Sequence, residues 1–139
     1  MPPGRGEILS LNKFKIIDDS YNANPESVKA ALDHLSGFQE CRKFFVFGDM
    51  KELGANEEIL HKKVGQYAVG KTDILLTVGK LAKNAQSNGN NFALSLHFND
   101  NFSLLEKLNE LLTDGDIVLI KGSRSMQLDQ LINELKNVK

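Results

Sequence analysis

The feature of this sequence that most constrains its fold is a strict alternation of short apolar segments with longer amphipathic ones. After two strand-type segments at residues 7–11 and 14–18, helix-type and strand-type segments alternate to the end of the chain. Strands are predicted at residues 43–47, 74–78, 93–98 and 117–120, and helices at residues 25–37, 56–69, 81–85, 102–112 and 128–135. Such alternation is typical of an α/β domain with a mostly parallel sheet and helices on both faces. We predict an open sheet of about six strands, one of them antiparallel and contributed near the N-terminus.

Length and composition restrict the class of protein. A chain of 139 residues is the size of one domain. The 17 basic and 18 acidic residues give a net charge of -1, which does not favour a nucleic-acid partner. The apolar runs are strand-sized, which argues against membrane insertion, and the N-terminus lacks the apolar core of a signal peptide. We therefore expect a cytoplasmic protein.

The N-terminal residues differ from the rest of the chain. Residues 1–6 are rich in proline and glycine, and the alternating pattern begins only at Glu7. This composition predicts that residues 1–6 are a linker from an upstream domain and that residues 7–139 form the domain itself.

The segment at residues 56–72 combines a helix pattern with a misleading nucleotide motif. The apolar positions expected to face the core are Ile59, Leu60, Val64, Tyr67 and Ala68. Residues 65–72 also match the P-loop pattern G-x-x-x-x-G-K-[ST]. A P-loop requires a strand before it and a helix after it, because the loop amides and the helix N-terminus hold the phosphates. Here the order is reversed, so we predict that Gly70 ends a helix and that Lys71 does not bind phosphate.

Polar residues follow four of the predicted strands, at residues 18–25, 48–54, 78–80 and 121–125. In an open parallel sheet, ligands bind outside the carboxyl ends of the strands, so these segments are expected to share one edge. Their carboxylates, amides, hydroxyls and cations suit a ribose, a phosphate or a peptide carboxylate. Each segment also has a simpler interpretation: Asp18 and Asp19 as turn residues, and Lys121 and Arg124 as solvated charges.

The histidines and the cysteine give no sign of a metal or nucleophile site. His34, His61 and His97 lack the spacing of metal ligands, and His61 is expected to be structural or to face solvent. The single Cys41 cannot form an internal disulfide and has no evident activating base.

Several strings of residues together resemble the Mur ligase family. They are DDSYNANP at residues 18–25, GDMKELG at residues 48–54, His61 with Val64 and Gly65, and KGSR at residues 121–124. Pro3, Gly4 and Arg5 are similar to the segment that joins the central and C-terminal domains of these ligases. The resemblance covers nearly the whole chain, and its first two strings are similar to the branch that uses D-alanyl-D-alanine.

The resemblance implies a Rossmann-like C-terminal domain of a three-domain, ATP-dependent ligase that forms an amide bond. The implied reaction activates UDP-N-acetylmuramoyl-tripeptide as an acyl phosphate, which the amine of D-alanyl-D-alanine then attacks to give a peptidoglycan precursor. The N-terminal domain would hold the UDP-sugar, and the central domain would hold the ATP phosphates and most of the Mg²⁺ ligands. We therefore expect this chain to be a monomeric fragment that is inactive alone.

The resemblance also implies roles for individual residues. Arg5 would contact an ATP phosphate, and Asp19 would bind the ribose hydroxyls. The expected ATP-binding residues are Arg5, Asp18, Asp19, Tyr21, Asn22 and Asn24. The expected acceptor-binding residues are Asp49, Lys51, Lys121, Ser123 and Arg124. No catalytic side chain and no metal ligand is expected in this chain.

Three other interpretations remain open at this point. Another member of the same family would carry related but different strings. A non-catalytic flavodoxin-like or receiver-like module would also have an acidic pair after its first strand and a lysine after its last. Here the acidic pair follows a hairpin, and no lone aspartate follows the central strand, which disfavours a receiver. A stand-alone P-loop NTPase would require Lys71 to contact phosphate.

Overall fold

The computed structural model describes residues 4–11 and 13–138, with side chains up to residue 135. The described residues form six strands, four α-helices and three 3₁₀ segments. The strands are β1 (Glu7–Leu11), β2 (Phe14–Asp19), β3 (Lys43–Gly48), β4 (Ile74–Val78), β5 (Leu94–Phe98) and β6 (Ile117–Lys121). The helices are α1 (Pro25–Ser36), α2 (Glu57–Ala68), α3 (Asn101–Leu111) and α4 (Leu128–Val138). The 3₁₀ segments are Gly54–Asn56, Ala82–Asn91 and Arg124–Met126.

The six strands form one sheet in the order β1-β2-β6-β3-β4-β5. β1 pairs with β2 in the antiparallel direction, and the other four pairs are parallel. The last strand of the chain, β6, therefore lies in the middle of the sheet, between β2 and β3. The predicted mostly parallel sheet of six strands with one antiparallel strand is confirmed.

Helices cover both faces of the sheet, as predicted. Side chains alternate between the two faces along each strand, so neighbouring residues of β3 enter different cores. Phe45 and Phe47 pack with α1, α2 and the segment Ala82–Asn91, whereas Phe44 and Val46 pack with α3 and α4. The short helix predicted at residues 81–85 is instead the beginning of the 3₁₀ segment Ala82–Asn91.

The inward face of α2 differs from the prediction. Its buried residues are His61, Val64, Gly65 and Ala68, which recur at helical spacing. Ile59 lies two residues before His61 and so points the other way, with 56% of its surface exposed. The prediction for Ile59 is wrong because it ranked positions by hydrophobicity. The sheet face is taken by a histidine that forms hydrogen bonds and by a glycine that allows close packing.

The P-loop-like string adopts no P-loop structure. Its first residues lie in α2, Gly70 has a φ of 82° just after the helix, and Asp73 precedes β4. Lys71 Nζ lies 3.3 Å from Asp33 Oδ1 on α1. The helix-before-strand order is confirmed, so this string cannot wrap a phosphate at a helix N-terminus.

The close approach of α2 to the segment Ala82–Asn91 depends on Gly65. A Cβ added there would lie 2.7 Å from Ala85 Cα, against backbone that cannot rotate away. We expect Gly65→Ala to lower the free energy of unfolding by about 1–3 kcal/mol, measured by urea denaturation. Gly37→Ala is the control, because its nearest neighbour would be His34 O at 3.4 Å. Equal effects of the two substitutions would contradict the packing role of Gly65.

Candidate functional site

The four polar segments that follow strands lie along one edge of the sheet. They follow β2, β6, β3 and β4, which are four consecutive neighbours in the sheet. Because these strands are parallel, their carboxyl ends point to the same edge. The predicted grouping of the segments is therefore confirmed.

The two aspartates at the end of β2 differ in their surroundings. Asp18 is buried, and its Oδ1 accepts hydrogen bonds from Ser20 N at 3.2 Å and Ser20 Oγ at 2.7 Å. Asp19 is the next residue and points to the other face of the sheet. Its side chain is 20% exposed, and its Oδ2 lies 2.9 Å from Lys121 Nζ. Asp19 thus has the more exposed carboxylate of the pair, whereas Asp18 shapes the turn.

Asp19 and Lys121 are the last residues of β2 and β6, and each strand ends one residue later than predicted. Asp19 and Lys121 are direct partners in the parallel β2–β6 ladder. Lys121 is buried, and its Nζ also donates to Asn22 O at 3.0 Å and to Ser27 Oγ at 3.2 Å. Burial lowers the pKa of Lys121, and the Asp19 carboxylate opposes that shift. Lys121, expected to face the acceptor, contacts the loop predicted to bind ATP.

The two asparagines of this loop are engaged in local structure. Asn22 Oδ1 accepts a hydrogen bond from Ala23 N at 2.9 Å. Asn24 Oδ1 accepts from Ser27 N at 2.9 Å, and Ser27 Oγ accepts from Asn24 N at 3.1 Å, which forms a capping box at the start of α1. Asn24 is therefore the N-cap of α1. Both amides therefore fix the shape of the loop in this structure.

Two arginines that were expected to bind different ligands meet at one aromatic ring. The guanidinium of Arg5 lies 4.1 Å from the centroid of Tyr21, and that of Arg124 lies 5.2 Å from it. Backbone hydrogen bonds from Tyr21 N to Gly4 O and from Gly6 N to Asp18 O hold residues 4–6 against the end of β2 and the loop that follows it. The described part of the predicted linker is thus packed on the domain, and residues 1–3 lie outside the described residues. Two cations beside a half-exposed phenol suit an anionic group such as a phosphate or a carboxylate.

The segment after β3 is clamped to the segment after β6. Ser123 N donates to Asp49 O at 2.8 Å, and Lys51 N donates to Ser123 Oγ at 2.7 Å. Asp49 is buried, and its Oδ1 accepts from Leu81 N at 3.0 Å and Ala82 N at 2.7 Å. Asp49 therefore ties three segments together, and its Oδ2 also lies 3.5 Å from Nζ of Lys51, whose side chain is 47% exposed.

His61, on α2, holds the backbone of the segment after β3 through a hydrogen bond with Met50. Its Nε2 accepts a hydrogen bond from Met50 N at 2.8 Å, and its Nδ1 lies 2.6 Å from Glu57 O. An amide can only donate, so the ring is neutral with its proton on Nδ1. Burial lowers the pKa of His61, although the Glu57 carbonyl and the Asp49 charge oppose the shift. Of the two alternatives expected for His61, the structural one agrees with the structure, and the ring does not face solvent.

Three residues that hold the site in place were not predicted as site residues. Ser27 binds the Lys121 ammonium, His61 binds the Met50 amide, and Asn101 Nδ2 donates to Met126 O at 2.9 Å beside Arg124. The capping pattern from Asn24 to Ser27 was a usable signal for the first. Nothing in the local sequence indicates the other two contacts, because they join distant segments.

None of the helices within residues 4–11 and 13–138 is long and apolar enough to cross a membrane. The same residues include no group of three or more histidine, cysteine, aspartate or glutamate side chains placed to hold a metal ion.

Comparison with known proteins identifies relatives over nearly all of the chain. A family model described as "Mur ligase, glutamate ligase domain" matches residues 4–124. The UDP-N-acetylmuramoyl-tripeptide–D-alanyl-D-alanine ligase of Bacillus subtilis is 38% identical over 130 residues, covering 88% of this chain and 28% of that protein. The ligase of the same name from Escherichia coli is 36% identical over 140 residues, covering 96% of this chain and 30% of that protein.

A solved structure agrees with these sequence matches. The MurF ligase from Thermotoga maritima in complex with ADP superposes with a TM-score of 0.86 and 25% identity. The match covers 99% of this chain and 31% of that one. The chain therefore spans less than one third of the length of these relatives.

The neutral state of His61 makes stability depend on pH. Its pKa is lowered from 6.5 in the folded state, so below about pH 6.5 the unfolded state binds more protons. We expect the free energy of unfolding to fall as pH decreases from about 7 to 5, and His61→Gln to reduce that slope. Part of the slope should remain in His61→Gln, because burial also lowers the pKa of His97. Urea denaturation at several pH values between about 7 and 5 measures the free energy of unfolding and its slope.

The exposed His34 provides the control for this experiment. His34→Gln should leave the slope of stability against pH unchanged. An unchanged slope in His61→Gln as well would contradict the assignment of a neutral, hydrogen-bond-accepting His61.

Proposed function

Because the chain belongs to the Mur ligase family, as its glutamate ligase domain, we propose that it is the C-terminal domain of a peptidoglycan-precursor ligase. In this proposal the complete enzyme uses ATP to join D-alanyl-D-alanine to UDP-N-acetylmuramoyl-tripeptide. The names of the Bacillus and Escherichia relatives support this substrate pair. The proposal places N-terminal and central domains before this chain in the complete protein, and matches that cover about 30% of each relative support it.

The observation that carries the proposal is the carboxylate of Asp19 at the carboxyl edge of the sheet. One of its oxygens is held by Lys121, and the side chain is partly exposed. The ribose of ATP has two adjacent hydroxyl donors, and a fixed carboxylate is a suitable acceptor for them. Arg5, against the neighbouring Tyr21 ring, provides a cation for a phosphate. The ADP named with the Thermotoga structure is consistent with a nucleotide at this edge.

The proposed reaction forms an amide bond in two steps. The terminal phosphoryl group of ATP passes to the tripeptide carboxylate, and the amine of D-alanyl-D-alanine then attacks the acyl carbon while phosphate leaves. This domain contributes no nucleophile or proton carrier. Its residues orient the nucleotide and the dipeptide, which lowers the entropic cost of bringing the reactants together.

The dipeptide is assigned to the clamp between the segments after β3 and β6. The Ser123 hydroxyl accepts from Lys51 N and keeps its own proton to donate. The exposed Lys51 ammonium and the Arg124 guanidinium are cations suited to the dipeptide carboxylate. Asp49 takes a positioning role, because its Oδ1 is bound by two backbone amides.

The remaining requirements of the reaction lie outside this chain in the proposal. Mg²⁺, when bound, neutralises the phosphate charge, and its ligands belong mainly to the central domain. In this proposal the isolated domain is inactive. The complete enzyme works as a monomer in the cytoplasm, where ATP is available. A receiver-like module is disfavoured because the family match extends over residues 4–124.

Loss of the Asp19 carboxylate tests the nucleotide assignment. In the complete enzyme, Asp19→Asn should raise the KM for ATP by about tenfold to a hundredfold, because a charge-assisted hydrogen bond contributes about 1.5–3 kcal/mol. The KM for D-alanyl-D-alanine should stay within about twofold. Lys71→Ala is the control, and it should leave the KM for ATP within about twofold since Lys71 pairs with Asp33. Equal weakening of both substrates by Asp19→Asn would indicate collapse of the loop instead.

Arg124→Gln tests the acceptor assignment in the same steady-state assay. Loss of a guanidinium–carboxylate contact should raise the KM for D-alanyl-D-alanine by about tenfold to a hundredfold. The KM for ATP should change little, although Arg124 shares the Tyr21 ring with Arg5. A rise in the KM for ATP alone would move Arg124 to the nucleotide side, and no change in either constant would leave it as a solvated charge.

A further inference from the structure

A buried lysine next to the nucleotide loop has no assigned task in the proposed reaction. Lys121 is only 1% exposed, among the most buried large side chains of the domain. Burial of an ammonium group is unfavourable unless it is paired and fully hydrogen-bonded. Replacement of a whole buried ion pair by apolar residues is often neutral or stabilising, so folding alone does not explain the pair of Lys121 with Asp19.

Within the described residues, the ammonium group of Lys121 contacts a single segment of the chain, from Asp19 to Ser27. Its Nζ lies 2.9 Å from Asp19 Oδ2, 3.0 Å from Asn22 O and 3.2 Å from Ser27 Oγ. These atoms belong to the end of β2, the following loop and the first turn of α1. A single cation at the end of β6 therefore joins three parts of the segment that would surround the nucleotide.

The geometry divides the two oxygens of Asp19 between different tasks. Oδ2 receives the ammonium, which fixes the orientation of the carboxylate. For Oδ1, no hydrogen bond is found within the part of the chain that the structure describes. The partial exposure of this side chain, 20%, leaves that oxygen accessible to a ligand.

We infer that Lys121 is a positioning residue for nucleotide binding, which holds the Asp19 carboxylate in place for the ribose hydroxyls. The inference rests on the proposed function, because it takes the nucleotide to bind at Asp19. It assigns Lys121 to ATP and removes it from the residues that contact the dipeptide. The role is indirect, since the ammonium itself is covered by protein.

Lys121→Met in the complete enzyme provides the first test. Methionine fills a similar volume without the charge, but it leaves the Asp19 carboxylate and the Asn22 carbonyl without their partner, so the melting temperature should fall. The KM for ATP should rise about tenfold, which is the effect of about 1.4 kcal/mol, while the KM for D-alanyl-D-alanine stays within about twofold. Lys71→Met is the matched control, because Lys71 pairs with Asp33 outside the loop and should change neither constant.

A double-mutant cycle with Asp19→Asn shows whether Lys121 acts through Asp19. If it does, the double variant should raise the KM for ATP no more than the larger single effect, because the two residues form one unit. Effects that multiply would overturn the inference, as would an effect of Lys121→Met on the dipeptide alone or on neither substrate. Should Lys121→Met fold poorly, Lys121→Gln with ADP binding measured by calorimetry gives the same comparison.

The single Asp19→Asn variant separates failure of this inference from failure of the proposed function. If Asp19→Asn raises the KM for ATP and Lys121→Met does not, only the inference on Lys121 fails. If Asp19→Asn leaves the KM for ATP unchanged, the nucleotide site at Asp19 fails, and the inference fails with it.

Discussion

The position of β6 between β2 and β3 is the constraint on which the rest of the site depends. This pairing places the C-terminal segment after Lys121 between the loop that follows β2 and the segment that follows β3. Residues that are about a hundred positions apart in sequence thereby become neighbours at one edge. The ion pair with Asp19 and the hydrogen bond from Ser123 N to Asp49 O both follow from this placement.

Many of the polar groups at this edge are already satisfied by other protein groups. Asp18, Asn22, Asn24, Asp49 and His61 all hold backbone amides in defined positions. Asp19, Lys51 and Arg124 are more exposed, and the proposed function assigns the ligands to these three residues. A site of this kind is organised before its ligands arrive, which reduces the cost of ordering it on binding.

The fold was predictable from the sequence, because alternating strand and helix patterns allow few arrangements and the parallel strands are almost wholly apolar. The segments that form the edge were also predictable, since they follow strands. The distinction between Asp18 and Asp19 came only from the family resemblance and not from the strand pattern, because it depends on the exact end of β2 and on alternation between faces. Lys121 and His61 were harder still: their partners lie on other elements, and a polar residue in a core position resembles a surface residue in sequence.

The central position of the last strand also has a consequence for how the chain is made. Lys121 and its partner Asn22 are 99 residues apart, so the contact between them closes a loop that includes most of the domain. Until β6 has emerged from the ribosome, β2 and β3 have no strand between them, and each exposes unpaired backbone groups on that side. Contacts of such long range slow folding. The nascent domain exposes unpaired, aggregation-prone strand edges until β6 has been synthesised. Within this domain the loop after β2 is synthesised early, yet it can acquire its final shape only after β6 has been synthesised.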